Sequence, residues 1–136
     1  MANSGYSGTP LIKKLGIKES YKIWLLHPPA DYSLWLEKDL SSQLCKSTET
    51  PDWVHLFAAN DHDFISGIKK LRPVWQKNSA LVIWISWYKK SAGVQTDLTE
   101  DKVRTFALEN GLVDIKVCAV NEQWSGLKLV VPVSKR

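Results

Sequence analysis

The strongest constraint on the fold is a run of five apolar residues, Leu81 to Ile85, in the second half of the chain. A strand with one face in water alternates apolar and polar side chains, because successive residues point to opposite faces of the sheet. This run is apolar at both alternating positions, which is typical of a parallel strand that helices cover on both sides. The run therefore predicts a central strand in an α/β sheet.

Short apolar runs elsewhere predict four more strands, the last two of which form an antiparallel hairpin. These strands cover residues 22–26, 53–57, 113–120 and 127–133. Leu44 and Cys45 are a further candidate for a short edge strand. Pro28 and Pro29 end the first strand, because proline has no N–H to donate to a sheet.

Helices are predicted between the strands. Asp31, Asn60 and Thr99 are residue types that cap helix N-termini, and each precedes a segment with apolar positions. After Asn60 the apolar positions repeat at helical spacing, and Pro73 is predicted to kink or end that helix. The stripe consists of Phe64, Ile68, Leu71 and Trp75. Gly111 marks the end of the last helix.

This alternation of strands and helices predicts an α/β fold. We expect a three-layer Rossmann-like domain with a mostly parallel sheet and a C-terminal antiparallel hairpin in or beside it. The length of 136 residues fits one domain, residues 1–136. Residues 1–10 are rich in glycine, serine and threonine, which predicts a loop or a loose N-terminal arm.

Several classes of site find no support in the sequence. Cys45 and Cys118 lie far apart without CxxC spacing, and the three histidines lack metal-ligand spacing such as HxxxH. No apolar run approaches the ~20 residues of a membrane span, and the N-terminus has no secretion signal. We therefore expect a cytoplasmic protein with no metal, no cofactor and no membrane partner.

Positive charge is concentrated in the second part of the chain. Residues 1–60 carry six lysines and six acidic residues, whereas residues 61–136 carry twelve basic and eight acidic residues. A cluster of basic residues consists of Lys69, Lys70, Arg72, Lys77, Lys89 and Lys90. Such a stretch either attracts acidic ligands or nucleic acid or is a solvated helix face. Because helices should cover the sheet, no aromatic platform for single strands is expected, and nucleic acid is not a favoured partner.

Ligands of open α/β sheets bind beyond the carboxyl ends of the parallel strands. The leading candidate there is the polar loop after the central strand, which leads into a helix N-terminus where lysines and N–H groups suit an anion. Its candidate ligand-binding residues are Trp87, Tyr88, Lys89, Lys90, Ser91 and Thr96. The lysines would supply charge, the hydroxyls hydrogen bonds, and Trp87 or Tyr88 a flat apolar wall. The alternatives are a solvated loop and an interface with a second copy in a homodimer.

Histidines and aspartates form a second group of candidates at the same rim. His27 and His62 could approach each other, with Asp31 or Asp61 nearby, as an acid/base pair. Helix capping is the competing explanation for both aspartates. His55 lies inside a predicted strand and is interpreted as structural.

Trp124 has two competing interpretations. It lies in the predicted turn of the closing hairpin, followed by Ser125 and Gly126. A tryptophan at that position either folds back as a lid or anchors an interface. The sequence leaves both interpretations open.

Six segments resemble a bacterial family described only as a domain of unknown function. They are GYSGTPL at 5–11, KLGIK at 14–18, WISWYKKS at 84–91, TDLTED at 96–101, VDIKVCAV at 113–120 and WSGLK at 124–128. The resemblance runs nearly end to end. It implies a bacterial protein and brings no activity with it.

From Trp53 onward, the order of elements is similar to the second half of class I S-adenosylmethionine-dependent methyltransferases. That resemblance implies a parallel strand–helix–strand–helix order closed by a reversed hairpin. Those enzymes hold their cofactor with a glycine-rich turn after the first strand. Here the turn at residues 27–31 contains two prolines and no glycine.

The sequence as a whole predicts a non-catalytic binding or regulatory module for a protein partner or an acidic small ligand. One alternative is a degenerate or atypical S-adenosylmethionine-dependent methyltransferase-like enzyme. A second alternative is a nucleic-acid-associated protein. No residue is predicted to be catalytic.

Overall fold

The computed structural model describes residues 9–136; most of the predicted N-terminal arm, residues 1–8, lies outside the described residues. The elements alternate as the sequence predicts. The helices are α1 (Leu11–Lys14), α2 (Tyr32–Leu36), α3 (Asp61–Lys77) and α4 (Glu100–Glu109). The strands are β1 (Ile23–Leu26), β2 (Trp53–Phe57), β3 (Val82–Tyr88), β4 (Val113–Ala119) and β5 (Trp124–Val130).

The five strands form one mixed sheet in the order β1-β2-β3-β5-β4. The β1–β2 and β2–β3 pairings are parallel, whereas the β3–β5 and β5–β4 pairings are antiparallel. The expectation of a mostly parallel sheet is therefore not confirmed. The loop between β4 and β5 is too short for the crossover that a parallel pair requires, so β5 returns antiparallel. By entering between β3 and β4, it makes two antiparallel pairings rather than one.

Helices cover both faces of the sheet, so the three-layer arrangement is present. On one face, α3 and α4 pack their buried stripes against alternate residues of the strands, such as Leu56 of β2 and Ile85 of β3. On the other face, α1 and α2 cover Trp53 and Trp84. The predicted central strand β3 is buried on both faces, with Ile83, Trp84 and Ile85 fully inaccessible to solvent.

Helix α3 shows which local signals set the ends of the elements. The Asn60 side chain caps it by accepting a hydrogen bond from the Asp63 amide at 2.8 Å. Of the two predicted effects of Pro73, a kink or an end of the helix, the end is wrong, since α3 continues to Lys77. Proline removes only one amide bond there, and the buried residues Leu71 and Trp75 hold the helix on both sides of it.

The outer side of β1 is also occupied. Leu44 forms an isolated parallel bridge with Ile23, and the Cys45 amide donates to the Ile23 carbonyl at 2.7 Å. The predicted short edge strand is thus reduced to a single bridge. None of the described helices combines the length and the apolar character that crossing a bilayer requires.

Candidate functional site

The carboxyl ends of β1, β2 and β3 lie along one rim of the sheet, because these three strands are parallel. The loops that leave them begin at His27, Ala58 and Lys89. Two cavities lined by described residues open at this rim. Tyr88, the last residue of β3, lines both of them.

The first cavity, which we call the lysine pocket, has a volume of about 490 Å³. Its polar lining includes Lys89, Lys90, Thr96, Thr99, Glu100 and Ser125. The structure therefore brings together five of the six predicted ligand residues here, namely Trp87, Tyr88, Lys89, Lys90 and Thr96. Thr99 and Glu100 belong to the N-terminal end of α4, where backbone N–H groups favour negative charge.

The Glu100 carboxylate would oppose an anion in this cavity, but it is engaged elsewhere. Its Oε2 lies 2.9 Å from Arg104 Nη1, and Asp114 Oδ2 lies 3.0 Å from Arg104 Nε. These two carboxylates raise the pKa of Arg104 by hydrogen bonding, Asp114 more than Glu100. The ion pair with Arg104 therefore offsets much of the negative charge that Glu100 brings to the pocket.

Two side chains, Thr96 and Asp97, fix the position of the loop after β3 through hydrogen bonds. The sequence did not indicate this structural role. Thr96 Oγ1 donates to the Ala59 carbonyl at 2.8 Å and accepts from the Leu98 amide at 3.2 Å. Asp97 Oδ1 accepts from the Asp61 amide at 2.8 Å. Thr96 thus lines the pocket while its hydroxyl holds the loop against the end of β2.

The remaining predicted residues of this loop are placed differently. Ser91 is exposed on a short 3-10 turn, Lys90–Ala92, and does not line the lysine pocket. Trp87 reaches the pocket from the side of the sheet that α3 and α4 cover, and only 4% of it is exposed. Tyr88 points to the opposite face, because neighbouring residues of a strand alternate.

The second cavity, which we call the aromatic pocket, has a volume of about 400 Å³. Its walls include four aromatic side chains, Trp35, Phe57, Tyr88 and Trp124. Tyr88 and Trp124 stack with ring centroids 4.0 Å apart, and Phe57 meets Trp124 edge-on at 5.0 Å. Trp124 is 6% exposed, so it folds back onto the domain.

The polar lining of the aromatic pocket includes His27, Asp31, Asp63 and Gln123. His27 adopts a left-handed backbone conformation with φ of 55°, which is uncommon for a residue other than glycine. His27 and Asp31 thus share a cavity. Asp61 lines a different groove, between α3 and α4, and the exposed His62 lies 3.9 Å from Asp63. Neither Asp61 nor His62 lines the aromatic pocket.

A buried polar chain lies beneath the rim. The His55 ring is fully buried, with Nδ1 at 2.7 Å from Tyr32 Oη and Nε2 at 2.7 Å from Ser86 Oγ. Burial lowers the pKa of His55 to about 3 and raises that of Tyr32 well above its ordinary value. His55 also stacks on Phe57 at 4.1 Å. These contacts join β2 to α2 and β3, which matches the structural interpretation of His55.

Cys45 and Cys118 form no disulfide in the part of the chain that the structure describes. Burial raises the pKa of both Cys45 and Cys118, so neither thiol is activated as a thiolate. Within residues 9–136, no group of three or more histidine, cysteine, aspartate or glutamate side chains could hold a metal ion.

Sequence analysis missed Trp35, Phe57 and Asp63 as site residues. They come from α2, β2 and α3, and their spacing in the chain carries no motif. The available signal was topological: Phe57 ends a predicted parallel strand, and Trp35 and Asp63 lie in the helices that follow two of these strands.

Comparison with known proteins supports the fold. No protein-family model and no curated protein matches this chain. A crystal structure of a protein of the NADB-Rossmann superfamily from Streptococcus agalactiae superposes with a TM-score of 0.53. It is 9% identical, over 93% of this chain and 69% of that one. The chain therefore has a Rossmann-type fold, and the resemblance to an uncharacterised bacterial family stays a prediction.

Proposed function

We propose that this chain is a cytoplasmic, non-catalytic binding module whose lysine pocket takes an acidic small ligand. The observation that carries the proposal is the cavity of about 490 Å³ that Lys89 and Lys90 share with the N-terminal end of α4. Ammonium groups and helix N–H groups together favour a negatively charged group. Trp87 and Tyr88 would add apolar contact to the uncharged part of such a ligand.

Inorganic pyrophosphate is a suitable probe for this proposal, with binding measured by isothermal titration calorimetry at low ionic strength. The Lys89→Ala/Lys90→Ala variant should bind about tenfold more weakly, because it loses two charge-assisted contacts. The matched control is Lys69→Ala/Lys70→Ala, which removes the same charge from exposed positions of α3.

The control should bind pyrophosphate as the wild type does. Equal weakening in both variants would mean that only net charge attracts the anion, and the pocket would lose its role. Absence of saturable binding to the wild type would contradict the proposal directly.

A second candidate is the methyltransferase-like enzyme that the sequence resemblance implies. The reversed strand β5 between β3 and β4 favours it. The turn after β1 opposes it, because Pro28 and Pro29 donate no N–H and His27 occupies the left-handed conformation that glycine would adopt without strain. The residues of this turn do not fit a cofactor held by a glycine-rich loop. Calorimetric titration with S-adenosylmethionine decides the matter: micromolar binding would replace the non-catalytic proposal.

A further inference from the structure

We infer that the aromatic pocket is a second binding site, selective for an organic cation such as an alkylated ammonium. The inference does not depend on the lysine pocket. It follows from the juxtaposition of aromatic rings and carboxylates in one cavity.

The charge of the lining is the first observation. Asp31 and Asp63 contribute carboxylates, and no lysine or arginine is among the described residues that line this cavity. The lysine pocket on the other side of Tyr88 has the opposite character, with Lys89 and Lys90 in its wall. An anion would meet repulsion in the aromatic pocket, whereas a cation would be attracted by both aspartates.

The aromatic walls are the second observation. Trp35 and Tyr88 are half-buried, while Phe57 and Trp124 are buried behind them. Ring contacts hold three of these side chains in fixed positions: Tyr88 on Trp124 at 4.0 Å, and Phe57 against Trp124 at 5.0 Å. Ring faces attract cations through their quadrupole, and tryptophan does so best. Rigid walls also reduce the entropy that ligand binding costs.

Other ligand classes fit this lining less well. A neutral apolar ligand would remove water from Asp31 and Asp63 without replacing it, which is unfavourable. A bare metal ion lacks a ligand set among the described residues. An ammonium that carries alkyl groups satisfies both parts of the lining, because its charge faces the carboxylates and its carbons contact the rings.

The probe for the test is choline, with 3,3-dimethylbutan-1-ol as its uncharged isostere. Binding to the full chain is followed by the NMR signals of the Trp35 and Trp124 indole N–H groups at pH 8. We expect choline to saturate with a Kd on the order of 1 mM, as a small ligand with few contacts would. The uncharged isostere should bind about tenfold more weakly or not at all.

The variant Asp31→Asn/Asp63→Asn should weaken choline binding by about tenfold, since both carboxylate charges are lost. It should still fold, because Asp31 makes no side-chain capping bond and asparagine has the same shape. Asp61→Asn is the matched control, since Asp61 lies in the same first turn of α3 but lines a different groove. Thermal unfolding of each variant verifies that the fold is retained.

Three results would overturn the inference: no saturable choline binding, equal binding of the uncharged isostere, or unchanged binding by the double aspartate variant. The Lys89→Ala/Lys90→Ala variant separates this site from the lysine pocket. It should bind choline as the wild type does, whether or not pyrophosphate binds. A loss of choline binding in that variant would also count against an independent site.

Discussion

Acidification should destabilise this fold in part through the buried side chain of His55. Its imidazole is fully buried, and Tyr32 Oη and Ser86 Oγ each lie 2.7 Å from one of its ring nitrogens. Burial lowers its pKa from 6.5 to about 3, because the charged form loses its hydration. At pH 5 the native protein therefore keeps this ring neutral, whereas the unfolded chain binds a proton there.

The sign and size of the effect follow from this difference. The unfolded state takes up the proton below pH 6.5 and the native state only near pH 3, so the free energy of unfolding falls as the pH drops through that interval. Each pH unit inside the interval is worth about 1.4 kcal/mol. Between pH 7.5 and pH 5, His55 should therefore remove about 2 kcal/mol, a large part of a typical total stability of about 5–15 kcal/mol.

Urea unfolding followed by tryptophan fluorescence measures this change, with His55→Gln as the reference because glutamine does not titrate. The wild type should lose about 2 kcal/mol more than His55→Gln between the two pH values. His62→Gln should behave as the wild type, since the His62 side chain is 91% exposed. Equal losses in the wild type and His55→Gln would refute the reasoning. If His55→Gln does not fold, a wild-type His55 NMR signal that titrates near pH 6.5 would refute it as well.

Two further predictions concern the core. Gly67→Ala should lower the free energy of unfolding by about 1–2 kcal/mol in urea titrations, although alanine ordinarily favours a helix. The reason is that the alanine Cβ would lie 2.5 Å from Cδ2 of the fully buried Leu56. An unchanged or higher stability would contradict this packing. Trp53 and Trp84 both donate their indole N–H to the Leu15 carbonyl, at 3.0 and 2.9 Å. A double-mutant cycle with Trp53→Phe and Trp84→Phe should therefore show an extra loss of about 1 kcal/mol when both donors are removed, and strict additivity would argue against the shared acceptor.

Local patterns in the sequence predict the elements of this fold well. Residues 53–57 form β2 with the predicted bounds, and the stripe from Phe64 to Trp75 is the buried side of α3. Four of the five residues of the apolar run, residues 82–85, lie in the central strand β3, which continues to Tyr88. These signals depend on neighbouring residues only, through hydrophobic periodicity and capping, so they can be read without knowledge of the pairing partners.

The order of the strands in the sheet and the residues of each pocket are harder to predict from the sequence, because they depend on contacts between residues far apart in the chain. Nothing in residues 113–130 indicates whether β5 lies at the edge of the sheet, outside β4, or between β3 and β4. The position of β5 decides how many of the strand pairings are parallel. Likewise, Trp35 and Phe57 meet at 6.4 Å only because α2 and the end of β2 pack on the same face. The predicted loop began at Tyr88, whereas β3 extends to this residue, so that Trp87 and Tyr88 face opposite sides of the sheet and still both line the lysine pocket.

The two pockets have opposite charge for a reason that the local structure partly explains. Acidic residues favour the N-terminal ends of helices, so Asp31 before α2 and Asp63 in α3 would be expected even without a ligand. Helix stabilisation alone, however, treats Asp61 and Asp63 alike, since both lie in the first turn of α3. Of these two residues of α3, Asp63 lines the aromatic pocket and Asp61 lines a different groove. Asp63→Asn should therefore weaken cation binding more than Asp61→Asn does, while the two variants have equal thermal stability. That result would show that the Asp63 carboxylate contributes to binding in the aromatic pocket.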